Sequence, residues 1–180
     1  MIPAKIEHFI DIHCHILPGL DDGAKNMAES LEMARCYQRT GIKKVVATPH
    51  FLPGTAWAAD KETVKQSVRE LQANLDSNNI DLQVLPGMEI AFHKRMEERM
   101  GSNSFLTLGD SGYYLIEPSF HGEQDSLLET LTSLLKMGRK LILAHPERID
   151  RLHKRLDVLE NLVKQGLLIQ VNAGSLLGYF

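Results

Sequence analysis

The 180 residues contain only two cysteines, Cys14 and Cys36, too few for a disulfide framework and in keeping with a reducing compartment. No apolar run approaches the roughly 20 residues needed to cross a bilayer. Met1 to Phe9 lacks the apolar core of a secretory signal. The formal net charge is only -3, so no basic face announces nucleic acid and no block of like charge suggests a tail. There is no internal repeat and no low-complexity segment. The expectation is a cytoplasmic protein whose 180 residues form a single domain with a real core.

Strand-like and helix-like segments alternate along the chain. Strands are expected at Ile6–Ile12, Lys43–Ala47, Leu82–Leu85, Tyr113–Ile116, Leu141–Ala144 and Leu167–Val171. Helices are expected at Met27–Thr40, capped by Asn26 and closed by Gly41, and at Asp60–Leu75, ending near Asn78-Asn79. Two more are expected at Asp125–Lys136, stopped at Gly138, and at Arg151–Lys164. Such alternation implies parallel strands with covering helices. Its regularity favours a barrel whose loops after the strands form the working face.

Polar residues interrupt this apolar frame at one kind of place. Asp11-Ile12-His13-Cys14-His15 lies at the end of the first strand, where alternation puts Asp11, His13 and His15 on one face. Two neutral imidazoles side by side are a ready chelate for a divalent transition metal, and Asp21 and Asp22 follow closely. His50, Glu89, Glu117 and His145 each fall at or just beyond the carboxyl end of a later strand. Singly each has a bland reading as an exposed loop side chain; together they mark one rim. Imidazole with carboxylate suits zinc, manganese or iron, and the scarcity of cysteine argues against structural zinc. The seven candidate ligands His13, His15, Asp22, His50, Glu89, Glu117 and His145 exceed the needs of one tetrahedral ion, so two or more are expected. Ions about 3.5–4 Å apart can hold a hydroxide and clamp phosphoryl oxygens, so the implied reaction is hydrolysis of a phosphate ester.

These motifs, with Leu20-Asp21-Asp22-Gly23, Ala47-Thr48-Pro49-His50, Gly87-Met88-Glu89-Ile90, Leu115-Ile116-Glu117, Ala144-His145-Pro146-Glu147-Arg148 and Gln170-Val171-Asn172-Ala173-Gly174-Ser175, resemble the PHP (polymerase and histidinol phosphatase) superfamily. Within it they are most similar to the manganese-dependent protein-tyrosine phosphatases of bacterial capsule and exopolysaccharide loci. The resemblance implies a distorted TIM-like barrel of seven strand–helix units around a cluster of two or three Mn2+, with Fe, Co or Zn as other candidates. It implies that His13 and His15 bind one ion, that Glu89 bridges to a second held by Glu117 and His145, and that Asp22 and His50 bind a third. Arg148 would steady the phosphate, or else pair with Glu147 or Asp150 at the surface. Asp11 would orient a ligand histidine or make a strand-end hydrogen bond. A metal-bound hydroxide would attack phosphorus, and the partner implied is a phosphotyrosine protein, such as a tyrosine autokinase of polysaccharide export. A phosphoesterase for a small metabolite such as histidinol phosphate, an amidohydrolase, and a non-catalytic kinase-binding fragment are the alternatives.

Members of that group carry a further strand ending in Asp-x-His, which is absent before Phe180. The final strand–helix portion of the barrel is therefore expected to be missing, with weaker metal binding and turnover. A cysteine-dependent phosphatase is excluded, because the residues six beyond Cys14 and Cys36 are Leu20 and Ile42 and not arginine. Cys14 is expected to face away from the histidines as a small apolar residue. The loop Phe51–Ala59, with Pro53-Gly54 and Trp57, is a candidate wall of the substrate mouth or a surface loop. Asn172 is a further candidate at the rim. His93, Lys94 and Arg95 read as a solvated helix start, and His8, His121 and His153 show no ligand spacing.

Overall fold

The first apolar run becomes β1, which occupies Ile10–Cys14, two residues beyond the expected end at Ile12. The computed structural model describes residues 9–119 and 124–179, so the earlier part of that run, with His8 and His121, lies outside the described residues. The chain divides into two compact units, Met1–Met88 with Leu108–Asp110, and Glu89–Thr107 with Ser111–Phe180. Among the described residues no helix is long and apolar enough to cross a membrane.

In the first unit β1 pairs in parallel with β2 (Lys44–Ala47). The crossover between them is α1 (Met27–Thr40). Its ends are set by chemistry local to the chain. The Asn26 side chain accepts from the Glu29 N–H at 3.1 Å, while the Glu29 carboxylate accepts from the Lys25 N–H at 2.9 Å. Gly41, at φ 84°, ends the helix in the left-handed conformation that a glycine adopts without steric cost. A two-residue β3 (His50–Phe51) follows, absent from the sequence expectation. Next comes α2 (Lys61–Ser77), started by the Asp60 carboxylate accepting from Thr63 N–H at 2.8 Å. Its buried face, Val64, Val68, Leu71 and Leu75, repeats at helical spacing, and the helix packs on β4 (Gln83–Pro86). β4 pairs in parallel with β2 in the order β1-β2-β4.

The strand expected at Leu82–Leu85 is thus followed by a second one, β5 (Glu89–Ala91), which opens the other unit. Pro86 has no N–H to continue a ladder. At Gly87 a Cβ would meet Val46 Cγ1 at 2.7 Å, so only glycine lets the backbone pass that close to β2. The second unit continues with α3 (Met96–Gly101), β6 (Tyr113–Glu117), α4 (Gln124–Lys136) and β7 (Lys140–Ala144). It ends with α5 (Asp150–His153), α6 (Leu156–Lys164), β8 (Leu168–Gln170) and α7 (Ala173–Leu176). Strands β5 to β8 run in parallel in chain order, and α4 packs against β7 and α6.

One expected helix, Arg151–Lys164, is broken at Lys154-Arg155. An unbroken helix would carry the buried stripe from Leu152 through Leu156 to Val163. The break shifts the phase, so that Leu159 and Leu162 are buried while Leu156 and Val163 are exposed.

The two sheets owe their stability to side chains such as Leu115, which is fully buried on a strand flanked by β5 and β7. We expect Leu115→Ala to lower the unfolding free energy by about 2–5 kcal/mol. Leu156→Ala, at an exposed position, should change it by about 0.5 kcal/mol or less. Urea denaturation of both variants measures this, and equal losses would refute the assignment of Leu115 to the core.

Candidate metal centre

The loop after β1 doubles back on the histidines. Gly19, at φ 70°, turns the chain; the Gly19 N–H donates to Ala24 O at 2.8 Å and the Ala24 N–H to His15 O at 3.1 Å. The return is so close that a Cβ on Gly23 would lie 2.1 Å from His15 O. This brings Asp21 under the His15 ring. Asp21 Oδ2 accepts from His15 Nδ1 at 2.7 Å and from the His50 N–H at 3.0 Å, and its Oδ1 accepts from the Gly23 N–H at 2.9 Å. The side chain is 1% exposed. Burial pushes this carboxyl up, but the hydrogen bond and charge of His15, with the two N–H donors, outweigh burial and hold it below its ordinary value.

In its neutral form, with Nδ1–H given to Asp21, His15 has its lone pair on Nε2, the arrangement found behind metal-ligating histidines. That Nε2 lies 3.3 Å from His13 Nε2. His50 joins from the other side: its ring centroid is 4.6 Å from that of His15, and its Nε2 is 3.4 Å from Asp22 Oδ1. One ligand atom each from His15, Asp22 and His50 lies within 4.8 Å of the others. Trp57 stacks on the outer side of His50, with centroids 5.6 Å apart and planes 14° from parallel.

Asp11 turns elsewhere than simple alternation predicts. The β1–β2 register shifts between Asp11 and Cys14, and this irregularity lets one phenol, Tyr37 on α1, reach both. The Tyr37 hydroxyl is 2.7 Å from Asp11 Oδ2 and 3.1 Å from Cys14 Sγ. Its single proton goes to the charged acceptor. Asp11 Oδ1 accepts from the His13 backbone N–H at 3.0 Å, so Asp11 acts on the strand end and the carboxylate behind a ligand imidazole is Asp21. Cys14 is buried, and that burial pushes its thiol up to about 12.

Glu89 lies three residues beyond the end of β4, as expected, and itself opens β5 in the second unit, while Glu117 ends β6 and His145 stands directly after β7. Glu89 Oε1 is 2.8 Å from His145 Nε2, and Glu117 Oε1 is 4.0 Å from the same nitrogen. The three side chains are 1%, 3% and 13% exposed in the order Glu89, His145, Glu117. His145 holds a left-handed backbone, φ 31° and ψ 50°, immediately before Pro146, where a residue other than glycine is strained. Its N–H donates to Gln170 O at 2.7 Å and its carbonyl accepts from the Arg148 N–H at 3.1 Å. Arg148 is exposed at the end of this turn. Glu147 Oε1 accepts from the Asn172 N–H at 3.1 Å and from Ser175 Oγ at 2.7 Å, so it ties down the loop after β8. The structure thus assembles His13, His15, Asp22 and His50 in one unit and Glu89, Glu117 and His145 in the other. Both groups combine imidazole with carboxylate, the donor chemistry of a zinc, manganese or iron site, and the His15–Asp21 pair fits a bound divalent ion.

The hydrogen bond of Asp21 to His15, the part of Tyr37 and the stacking of Trp57 are not evident in the sequence. Asp21 carried a signal, since the turn residues Pro18-Gly19 between it and His15 allow the chain to return. Tyr37 carried none, because its link to Asp11 spans 26 positions.

Residues 9–180 match the family described as capsular polysaccharide synthesis, CpsB/CapC. The chain is 37% identical to the tyrosine-protein phosphatase YwqE of Bacillus subtilis over 95% of this chain and 67% of that protein. It is 34% identical to the putative tyrosine-protein phosphatase CapC of Staphylococcus aureus, with the same coverage of 95% and 67%. With the tyrosine-protein phosphatase CpsB of Streptococcus pneumoniae the identity is 30% over 91% of this chain and 67% of the relative. The fold superimposes with a TM-score of 0.86 and 37% identity on a solved structure from work on YwqE and CpsB as metal-dependent tyrosine phosphatases, covering 93% of this chain and 68% of that one.

Two outcomes are expected from this geometry. Asp21→Asn should weaken Mn2+ binding about 10- to 100-fold by calorimetric titration, and an unchanged affinity would remove Asp21 from its role behind His15. A thiol reagent at neutral pH should modify the exposed Cys36 in the folded protein and reach Cys14 only after denaturation. Rapid labelling of both thiols in the native state would contradict the burial of Cys14.

Proposed function

The chain belongs to the CpsB/CapC family of capsular polysaccharide synthesis, and from that premise we propose that it is a metal-dependent protein-tyrosine phosphatase. The observation that carries this reading is the convergence of the His13 and His15 ring nitrogens at 3.3 Å with Asp21 behind one of them. It occurs in a chain 37% identical to a tyrosine-protein phosphatase. In the proposal His13, His15, Asp22, His50, Glu89, Glu117 and His145 hold two or three Mn2+, and the chain is a single domain built as a PHP barrel. The substrate is a phosphotyrosine protein of capsule synthesis, a tyrosine kinase of polysaccharide export among the candidates. It works in the cytoplasm, where the free Cys14 and Cys36 remain reduced.

Bound ions would supply an activated water and neutralise charge on the phosphoryl oxygens. The rest falls to the chain. Asp21 keeps the His15 proton on Nδ1 and so keeps Nε2 available as a donor. Tyr37 and Asp11 hold the strand end that carries His13. Arg148, on the turn that begins at His145, has the fork geometry to bind two phosphoryl oxygens and to stabilise their charge as the ester bond breaks.

Hydrolysis of a phosphotyrosyl peptide should be stimulated by Mn2+, be abolished by a chelator, and fall about 100-fold or more in His13→Ala. Arg148→Ala should cut kcat/KM about 10- to 100-fold while leaving Mn2+ affinity unchanged. Turnover that survives both chelation and His13→Ala would overturn the metal-dependent reading. Preference for histidinol phosphate would move the substrate to small metabolites.

A further inference from the structure

Trp57 is the only tryptophan in the chain, and neither the metal ligands nor Arg148 account for its placement. It lies on the loop after β3 and is held there by a local set of bonds. The Leu52 N–H donates to Trp57 O at 2.6 Å, the Trp57 N–H donates to Thr55 Oγ1 at 3.0 Å, and Thr55 Oγ1 donates to Leu52 O at 2.9 Å. Phe51 and Ala58 form an antiparallel bridge that closes the loop, and Pro53 with Gly54, at φ 86°, makes its tip. The indole is therefore positioned before any ligand arrives, so little ordering entropy is lost on binding.

Its surroundings are specific. One side of the indole stacks on His50, whose ring also lies 4.6 Å from that of His15 and whose Nε2 is 3.4 Å from Asp22 Oδ1. Trp57 nevertheless remains 38% exposed, as does the adjacent Leu52 at 37%. An apolar platform thus stands open to solvent beside a cluster of charged and imidazole ligands. A phosphoryl group at that cluster would carry its ester substituent outward, one oxygen away. If the substituent is a phenyl ring, it comes within reach of the indole. The alkyl arm of phosphoserine offers no ring face to stack.

Resting on the phosphatase reading, we propose that Trp57 is the specificity-determining residue that receives the aromatic ring of an aryl phosphate and so selects phosphotyrosine over alkyl phosphates. The full chain with Mn2+ is tested on a phosphotyrosyl peptide and on the phosphoseryl peptide of the same sequence. Trp57→Leu should raise KM for the phosphotyrosyl peptide about 10-fold, the equivalent of about 1.4 kcal/mol of lost stacking, with kcat within about twofold. The phosphoseryl kinetics should not move, and Trp57→Phe should recover most of the loss. A fall in kcat on both peptides, with weaker Mn2+ binding, would show that Trp57 merely braces His50 and would overturn the proposal.

The single indole also supplies a readout that needs no turnover. Benzylphosphonate should shift or quench its fluorescence in the wild-type protein, and methylphosphonate at the same concentration should not. If the protein hydrolyses no phosphate ester, the phosphatase reading fails while this arm still decides whether Trp57 receives an aryl ring. Equal responses to the two phosphonates, or none to either, would overturn the stacking role.

Discussion

The buried carboxylate of Asp21 is the constraint on which the imidazole–carboxylate group of the first unit depends. A carboxylate at 1% exposure is costly unless its oxygens are satisfied, and here each oxygen is. The three donors come from three places: the His15 ring, the Gly23 backbone in the returning loop, and the His50 backbone after β2. One side chain therefore fixes the tautomer of one ligand, the path of the loop that carries Asp22, and the position from which His50 extends. Gly23 is the corresponding steric condition, since any Cβ there would strike the His15 carbonyl and push Asp21 out of reach.

A different device serves the group in the second unit. His145 takes its place through strained backbone, a left-handed residue before proline, held by hydrogen bonds to Gln170 and Arg148. Strain of this kind persists only where neighbouring structure over-determines it. Glu147 helps by anchoring Asn172 and Ser175 after β8. The same short turn that aims His145 toward Glu89 also ends at Arg148, so a candidate metal ligand and a candidate phosphate-binding residue share one turn. That economy explains why the two residues lie three positions apart.

What could be read in the sequence was what local chemistry decides. Asn26 and Gly41 bracket α1, and Asp60 with Asn78 brackets α2, because caps act within a few residues. Apolar runs marked β2, β6 and β7. Two short elements escaped: β3 and β5, of two and three residues, each begin three residues after β2 or β4 ends, too close to be told apart as separate strands. The break before α6 escaped because only tertiary packing selects which leucines are buried. At the site, residue types and spacing identified the side chains that the two units bring into groups. Alternation grouped Asp11 with the histidines, whereas of its two expected roles it takes the strand-end hydrogen bond, beside a strand irregularity that is invisible to a periodic rule.

The cysteines complete the chemical argument. A thiol-based phosphatase needs a thiolate at neutral pH, close to an arginine and open to substrate. Cys14 sits between the two histidines in sequence, yet it faces the Tyr37 hydroxyl, is buried, and has its thiol pushed up to about 12. Cys36 is exposed on α1 beside Arg39, 2.8 Å from its sulfur, but the residue six positions on is Ile42 and not the arginine of a cysteine-dependent phosphatase. Neither sulfur is placed to attack phosphorus. The side chains that do converge are oxygen and nitrogen donors of the kind that bind divalent ions. In the proposed function, ions held by these imidazole and carboxylate groups would activate water for the dephosphorylation.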